Sequence, residues 1–122
     1  REFATSVFEA KDIELDFKAD EEVNEAKIDM EGRRDFFLIF KEAVNNAAKY
    51  ARCSKAEVRV FVENRKLVLQ VKDNGIGFDV KQADGGNGLG NMQKRTDALK
   101  GKLQLTSIEG EGTEVMLTVP LN

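Results

Sequence analysis

Two alternating segments joined by a short polar turn constrain the fold more than any other feature. In residues 57–63 the valines stand at every second position, and the alternation resumes with leucine and valine in residues 66–72. Because successive side chains of a strand point to opposite faces of a sheet, each segment predicts a strand with one apolar face. Asn64 and Arg65 lie between them, which suits a two-residue hairpin turn. The pair therefore predicts an antiparallel hairpin.

The rest of the chain supplies further strands and amphipathic helices. Apolar residues recur at helical spacing in residues 32–52 and 89–99, and alternation recurs in residues 13–17, 102–107 and 113–119. Five strands with one apolar face each, together with helices that carry an apolar stripe, favour a mostly antiparallel sheet covered by helices on one face. The predicted fold class is therefore α+β, a two-layer α/β sandwich.

Local signals predict where several of these elements begin and end. For the helix near residue 89, Asn87 is a candidate N-cap and Gly101 a candidate C′ residue, the left-handed position that often ends a helix. Residues 1–11 have a helix-forming composition and predict the end of a helix. Residues 20–29 and 79–87 lack periodicity and predict loops, the second of them mobile and placed over a site.

Composition excludes several classes of function. The chain has 122 residues, which is typical of one domain, and its 19 basic and 22 acidic residues give a net charge of −3 without a basic run. That balance argues against electrostatic binding of nucleic acid or of an anionic membrane. The single Cys53 excludes a disulfide framework and favours the reducing cytoplasm. Without any histidine, the chain has neither a His-based general base nor a His that could be phosphorylated.

Two glycine clusters stand at the ends of predicted elements. Residues 73–78, Asp-Asn-Gly-Ile-Gly-Phe, follow a predicted strand, and residues 86–90, Gly-Asn-Gly-Leu-Gly, precede a predicted helix. Glycine lets a ligand approach the backbone closely, and glycines before a helix expose N–H groups that suit a phosphate. Taken alone, the first cluster is better explained by an ordinary turn, and the second fits a helix hinge equally well.

A polar stripe runs beside the apolar face of the long helix. Glu42, Asn46 and Lys49 lie at i, i+4 and i+7 and therefore share one face. An acidic group, an amide oxygen and a cation suit a complex of Mg²⁺ with phosphate. For an isolated stretch, a solvated helix face with ordinary i, i+4 spacing is the more frequent explanation. The order of the three motifs along the chain decides between these alternatives.

In that order, the motifs resemble the boxes of the GHKL ATPases. Residues 42–51 resemble the N box, residues 73–78 the first glycine box and residues 86–92 the second, and Gly112-Thr113 match the family's late Gly-Thr. Order and spacing are similar to those of the ATP-binding catalytic domain of bacterial sensor histidine kinases, in particular the subfamily that pairs with NarL-type response regulators. The resemblance covers nearly the whole chain and implies an α/β sandwich with a mixed sheet.

The resemblance also implies a role for each matched residue. Asp73 would bind the adenine amine with support from Thr113, and Asn46 would ligate Mg²⁺. Glu42 would be the catalytic acceptor, and Lys49 would be the cation that meets the phosphates. The glycine boxes would supply the remaining nucleotide contacts: Gly75, Ile76 and Gly77 near the adenine, and Gly86, Gly88, Leu89 and Gly90 along the phosphates. The implied cofactors are ATP and Mg²⁺.

The implied activity is transfer of the γ-phosphate of ATP to a histidine. Because the chain has none, the acceptor would lie on a separate dimerisation domain, with residues 1–11 as the tail of one of its helices and residues 12–122 as the ATP-binding domain. The partners would be that domain, in a homodimeric kinase, and a response regulator. A GHKL serine kinase of the anti-sigma-factor type is the alternative, and a nucleotide-sensing domain without turnover is a third possibility.

Overall fold

The computed structural model describes most of the chain, in five segments: residues 13–20, 29–50, 54–76, 89–108 and 110–121. At positions 48–50 and 89–91 it describes the backbone alone. The predicted helix in residues 1–11, the predicted loop in residues 79–87 and most of the predicted loop in residues 20–29 lie outside the described residues.

The described segments form five strands and two helices. The strands are β1 (Glu14–Ala19), β2 (Lys55–Glu63), β3 (Lys66–Asp73), β4 (Lys102–Ile108) and β5 (Gly112–Pro120). The helices are α1 (Met30–Tyr50) and α2 (Leu89–Ala98). Each was predicted from the sequence to within about two residues at its described ends, by the periodicity of its apolar positions. Neither helix combines the length and apolar character that a membrane crossing requires.

The described strands form one sheet in the order β1-β2-β3-β5-β4. The hairpins β2–β3 and β4–β5 are antiparallel, and so is the central pair β3–β5. Strand β1 runs parallel to β2, and α1 lies between them in the sequence, as the crossover between parallel neighbours requires. The sheet is therefore mixed and mostly antiparallel, which confirms the predicted α+β sandwich.

The β2–β3 hairpin turns at the two residues predicted. Asn64 and Arg65 have φ angles of +52° and +61°, and Glu63 pairs with Lys66 across the turn. Positive φ at both central residues is the geometry of a type I′ turn, whose twist matches that of the strands it joins. The turn thus sets the register that places every second residue of β3 on the same face as the valines of β2.

One face of the sheet, the inner face, is apolar and packs against both helices. It is marked by Leu67, Leu69 and Val71 on β3, whose partners on the neighbouring strands are also apolar. Burial of each large aliphatic side chain contributes about 1.5–3 kcal/mol, so this core fixes the helices to the sheet. The other buried apolar side chains of the core come from both layers and from the residue before β1: Ile13, Ala56, Val58, Val60, Val115, Leu117 and Val119, and Ile39, Phe40, Ala43, Val44, Ala47 and Met92.

Asp29 fixes the start of α1. Its Oδ1 atom accepts a hydrogen bond from the Gly32 N–H at 2.7 Å, and its C=O accepts one from the Arg33 N–H at 2.9 Å. Aspartate is a preferred N-cap because it satisfies an N–H group that the first turn leaves without a helical partner. The helix therefore begins at Met30, two residues earlier than predicted.

The prediction that Gly101 is the C′ residue of α2 is wrong by one position. Lys100, with φ of +56°, occupies the left-handed position. The N–H groups of Lys100 and Gly101 donate to the carbonyl oxygens of Asp97 and Thr96, both at 3.0 Å, which is the Schellman pattern with Gly101 at C″. Glycine is required at 101 for a different reason, since a Cβ atom there would lie 2.6 Å from the carbonyl oxygen of Thr118.

Candidate functional site

Three polar residues interrupt the inner face at one end of the sheet. Asp73, the last residue of β3, pairs with Thr113 in β5, and Thr113 pairs with Ser107 in β4. The alternation of the strands puts all three on the same face as Val71, one position beyond the core. The hydroxyl oxygens of Ser107 and Thr113 are 2.9 Å apart. These residues form the polar row, the start of the candidate site.

Asp73 is the buried member of the polar row. It is only 7 % exposed, and its Oδ1 atom accepts a hydrogen bond from the Gly75 N–H at 2.9 Å. Burial raises the pKa of Asp73 above its ordinary value of 3.8, while hydrogen bonds from the backbone N–H groups of Gly75 and Thr113 oppose that shift. Because a carboxylate has more acceptor positions than two N–H groups occupy, Asp73 can accept a further hydrogen bond from a bound group.

The raised pKa of Asp73 predicts a pH-dependent contribution to stability. A carboxyl group that binds its proton more tightly in the folded chain favours folding most below pH 3.8, its unfolded value, and loses that contribution as the pH rises through its folded pKa. Asp73→Asn has no charge to bury. We therefore expect the free energy of unfolding of wild type to fall, relative to that of Asp73→Asn, as the pH rises above 3.8. Urea unfolding of both proteins across the acidic range measures this difference, and a difference that does not vary with pH would contradict the prediction.

The turn after β3, residues 73–76, is held by its neighbours on both sides. On one side the side chain of Asn74 is hydrogen-bonded to the segment that opens β2. On the other, the C=O of Ile76 accepts a hydrogen bond at 2.6 Å from the N–H of Gly110, which lies between β4 and β5. Gly75 is buried, whereas Ile76 is 49 % exposed. A fixed turn with an exposed isoleucine and a buried carboxylate offers an apolar surface and an acceptor to a flat polar ring.

The β4–β5 turn approaches Asp73 so closely that position 112 requires glycine. Gly112 has φ of +120°, a conformation that residues with a side chain rarely adopt. A Cβ atom at this position would overlap the carbonyl oxygen of Asp73 and lie 3.2 Å from the Cα atom of Asn74. The motif resemblance implies that Thr113 supports Asp73, and the β3–β5 pairing places Thr113 opposite Asp73, with Gly112 beside it.

The second group of predicted site residues lies on α1. Glu42 and Asn46 are half-buried and lie about one helical turn apart. The helix packs against β3, the strand that ends at Asp73, and against α2. An ion pair of 3.2 Å between Asp35 Oδ1 and Arg95 Nη1 also joins the two helices. The structure therefore packs the helix that carries Glu42 and Asn46 against the strand that carries Asp73.

Other predicted site residues lie wholly or partly outside the described residues. The backbone of Lys49 belongs to α1, but its side chain is not described. Leu89 and Gly90 are the first two residues of α2, so the second glycine cluster leads into the start of a helix, as predicted. The first turn of a helix leaves N–H groups without helical partners, which suits phosphate oxygens. The remaining three residues lie in segments outside the description: Gly77, Gly86 and Gly88.

The oxygen donors on α1 fit Mg²⁺ that arrives with a phosphate ligand. Asn46, the predicted Mg²⁺ ligand, carries an amide oxygen, and Glu42 carries a carboxylate one turn away; oxygen ligands of these types suit Mg²⁺. Within the described residues, no group of three or more His, Cys, Asp or Glu side chains could hold a metal ion. Mg²⁺ usually completes its coordination with waters and phosphate oxygens, so this donor set suits a metal–nucleotide complex.

The structure adds two residues that the sequence prediction does not include. Ser107 belongs to the polar row. It shares a strand face with Leu103 and Leu105, so a polar residue at a position where the pattern expects an apolar one was the signal available in the sequence. Gly110 contacts Ile76 through backbone atoms. A backbone contact leaves no pattern of residue types, so the sequence carries no signal for it.

Known proteins resemble the chain in sequence and in fold. Residues 31–122 match the family described as histidine kinase-, DNA gyrase B-, and HSP90-like ATPase. The chain is 31% identical over 124 residues to the signal transduction histidine-protein kinase/phosphatase DegS of Bacillus subtilis, and the aligned region covers 98% of this chain and 32% of DegS. It is 35% identical over 86 residues to the sensor histidine kinase LiaS of the same species, which covers 70% of this chain and 24% of LiaS. The structure of a blue-light activated histidine kinase of Erythrobacter litoralis aligns with a TM-score of 0.82 at 23% identity, over 98% of this chain and 40% of that one.

The fold and the family match together define an ATPase domain of the α+β sandwich class. The chain belongs to the histidine kinase-, DNA gyrase B-, and HSP90-like ATPase family, because the match covers most of its residues. It spans between 22% and 32% of the length of these curated relatives. The structural alignment at 23% identity supports the fold.

Proposed function

We propose that the chain binds Mg²⁺·ATP and donates the γ-phosphate to a histidine on a separate dimerisation domain. The observation that carries the proposal is the buried carboxylate of Asp73, fixed at the end of the apolar inner face beside Gly112 and Thr113 in a chain of this ATPase family. Phosphoryl transfer depends on positioning and charge neutralisation more than on covalent chemistry with the protein. A fixed acceptor and glycine turns can supply positioning, and charge neutralisation would come from Lys49 and from Mg²⁺ held by the helix face.

The adenine end of the proposed site is the turn after β3. Asp73 accepts a hydrogen bond from the exocyclic amine, and Thr113 supports this contact through a water molecule. Gly75 and Gly77 leave room for the ring because they have no side chain. Ile76, which is half exposed, packs against the face of the ring. The buried carboxylate thus distinguishes a base with an amine at this position from one with a carbonyl group.

The phosphate end of the proposed site lies on α1 and at the start of α2. Asn46 ligates Mg²⁺, which when bound neutralises phosphate charge. Lys49 meets the phosphates as a cation, and Glu42 orients the attacking imidazole and accepts its proton. The second glycine cluster lies along the phosphates and offers its backbone N–H groups: Gly86, Gly88, Leu89 and Gly90.

The partners in this proposal are inferred from the kind of protein that the relatives are. DegS and LiaS are named as histidine kinases, and the chain spans 32% of DegS and 24% of LiaS. We propose that residues 12–122 act with a His-containing dimerisation domain, as part of a cytoplasmic homodimeric kinase, and that residues 1–11 are the tail of a helix of that domain. A response regulator of the NarL type then receives the phosphate. The serine-kinase alternative is less favoured because the named relatives are histidine kinases.

Two variants one turn apart on α1 should separate binding from transfer. Asn46→Ala removes the proposed Mg²⁺ ligand, so we expect affinity for Mg²⁺·ATP to fall by about tenfold, or ~1.4 kcal/mol, with little change in the affinity for ATP in EDTA. Glu42→Gln keeps the shape of the side chain but removes its basicity. It should bind ATP within about threefold of wild type and lose about 10²–10⁴-fold in transfer to a supplied His domain.

Calorimetry with and without Mg²⁺, together with transfer of labelled phosphate, measures both effects. A wild-type chain that does not bind Mg²⁺·ATP would refute the proposed function as a whole. Normal transfer by Glu42→Gln would remove this residue from its catalytic role. An equal loss of affinity with and without Mg²⁺ in Asn46→Ala would remove the metal-ligand assignment alone.

A further inference from the structure

The side chain of Asn74 connects the turn after β3 to the segment that opens β2. Its Oδ1 atom accepts hydrogen bonds from the N–H groups of Ser54 and Lys55, both at 3.0 Å, and its Nδ2 atom donates to Ser54 Oγ at 3.0 Å. Its backbone N–H donates to the Lys55 C=O at 3.2 Å. Four hydrogen bonds therefore join one residue of the turn to Ser54 and Lys55, the residue before β2 and the first residue of that strand.

This contact joins two segments that adjoin the two halves of the proposed site in the sequence. Asn74 directly follows Asp73, the proposed adenine acceptor, and directly precedes Gly75, whose N–H is bound to Asp73. Residues 54–55 follow α1 in the sequence, and α1 carries the proposed Mg²⁺ ligand. Asn74 thus joins the turn at the adenine end to the segment that comes after the helix at the phosphate end.

The other described contacts of the turn are backbone contacts, a contact internal to it, and the hydrogen bond that the Asp73 carboxylate accepts from the Thr113 N–H. Gly110 donates to Ile76 through backbone atoms, and β3 pairs with β5 up to Asp73 through its ladder. The bond from Gly75 to Asp73 lies within the turn itself. Among these described contacts, the side chain of Asn74 is the tie to another segment that a substitution can remove without altering Asp73, the proposed adenine acceptor.

We propose that Asn74 is a positioning residue that fixes residues 73–76 against residues 54–55 and thereby sets the affinity for the nucleotide. The inference rests on the proposed function, in which Asp73 binds the adenine amine. Asn74 is exposed and lies outside the apolar core, so its loss allows the turn to shift without opening the sheet. Its removal therefore weakens nucleotide binding by folded protein and leaves the fraction of folded protein unchanged.

Calorimetric titration of the chain with Mg²⁺·ATP tests this role. Asn74→Ala should raise the Kd by about tenfold at unchanged stoichiometry, since three side-chain hydrogen bonds are lost. Asn74→Asp keeps an oxygen that accepts from both N–H groups and can accept from the Ser54 hydroxyl, so its Kd should lie within about threefold of wild type. Asp16→Ala is the matched control, because it loses a half-buried hydrogen bond to Arg59 that joins β1 to β2 on the face of the sheet opposite the core, and its Kd should equal that of wild type.

Three results would overturn the role of Asn74. They are a wild-type Kd for Asn74→Ala, a Kd for Asn74→Asp as high as that of Asn74→Ala, and a loss of binding that appears as reduced stoichiometry, which marks a folding defect. Asp73→Asn, titrated in parallel, separates these results from a failure of the proposed function. If Asp73→Asn binds as wild type does, the adenine assignment fails; if it binds weakly while Asn74→Ala binds normally, the role of Asn74 alone fails.

Discussion

Asp73→Asn is expected to bind ATP about 100-fold more weakly than wild type, or ~2.7 kcal/mol, while it keeps its fold. In the structure the Asp73 carboxylate accepts hydrogen bonds from the Gly75 N–H, through Oδ1, and from the Thr113 N–H, and its remaining acceptor positions are available to the adenine amine. An asparagine that keeps its oxygen toward Gly75 presents an NH₂ group to that amine, so a donor faces a donor. A buried polar group left without its partner costs more than the loss of an ordinary hydrogen bond, which is why the expected effect is large for a nearly isosteric change.

The same substitution should reduce selectivity between ATP and GTP. Guanine carries a carbonyl oxygen where adenine carries its amine, and the asparagine NH₂ can donate to that oxygen. We expect the ratio of the two affinities to fall by about tenfold or more, measured by competition against a fluorescent nucleotide. Asp73→Ala is the control, because it weakens ATP binding but offers no donor to guanine. A wild-type ratio in Asp73→Asn would show that Asp73 does not read the base.

The fold was predictable to the extent that it depends on local patterns. The type I′ turn at Asn64 and Arg65 needs its two residues and the alternation on either side, and all of these are visible in the sequence. The ends of the helices depend on finer contacts. Asp29 caps α1 from a segment without periodicity, and Lys100 takes the left-handed position that the adjacent Gly101 would ordinarily take. Position 101 requires glycine because β5 approaches it closely, and this contact exists only in the assembled sheet.

The candidate site was predictable as a set of motifs but not as a geometry. Asp73 and Thr113 are far apart in the sequence, and their pairing across β3 and β5 follows from a register that no local pattern specifies. The resemblance of motifs groups them without saying how they meet. The bonds of Asn74 to residues 54–55 and of Gly110 to Ile76 are long-range contacts without periodicity, so they became apparent only in the structure.

Gly112→Ala should be the most destabilising single-methyl change in the β4–β5 turn. The added Cβ atom would overlap the carbonyl oxygen of Asp73 and crowd the Cα atom of Asn74, and both of these are backbone atoms that cannot rotate away. The φ angle of +120° adds conformational strain. Strain and overpacking each cost about 1–3 kcal/mol, so we expect a loss of about 3 kcal/mol or more. Thermal unfolding should show a midpoint lower by about 10 °C or more.

Gly110→Ala is the matched control in the same turn. Gly110 also has a positive φ, +82°, but a Cβ atom there would meet nothing within 4 Å, so its cost is the strain alone, about 1 kcal/mol. The difference between the two variants therefore isolates the close approach of Gly112 to Asp73. Because the backbone of Asp73 must move in Gly112→Ala, ATP affinity of the folded fraction should also fall on the order of tenfold, or ~1.4 kcal/mol, whereas Gly110→Ala should retain it. Equal unfolding midpoints of Gly112→Ala and Gly110→Ala would mean that the backbone of Asp73 moves at little cost to accommodate the added methyl group. The β4–β5 turn would then not fix the position of Asp73.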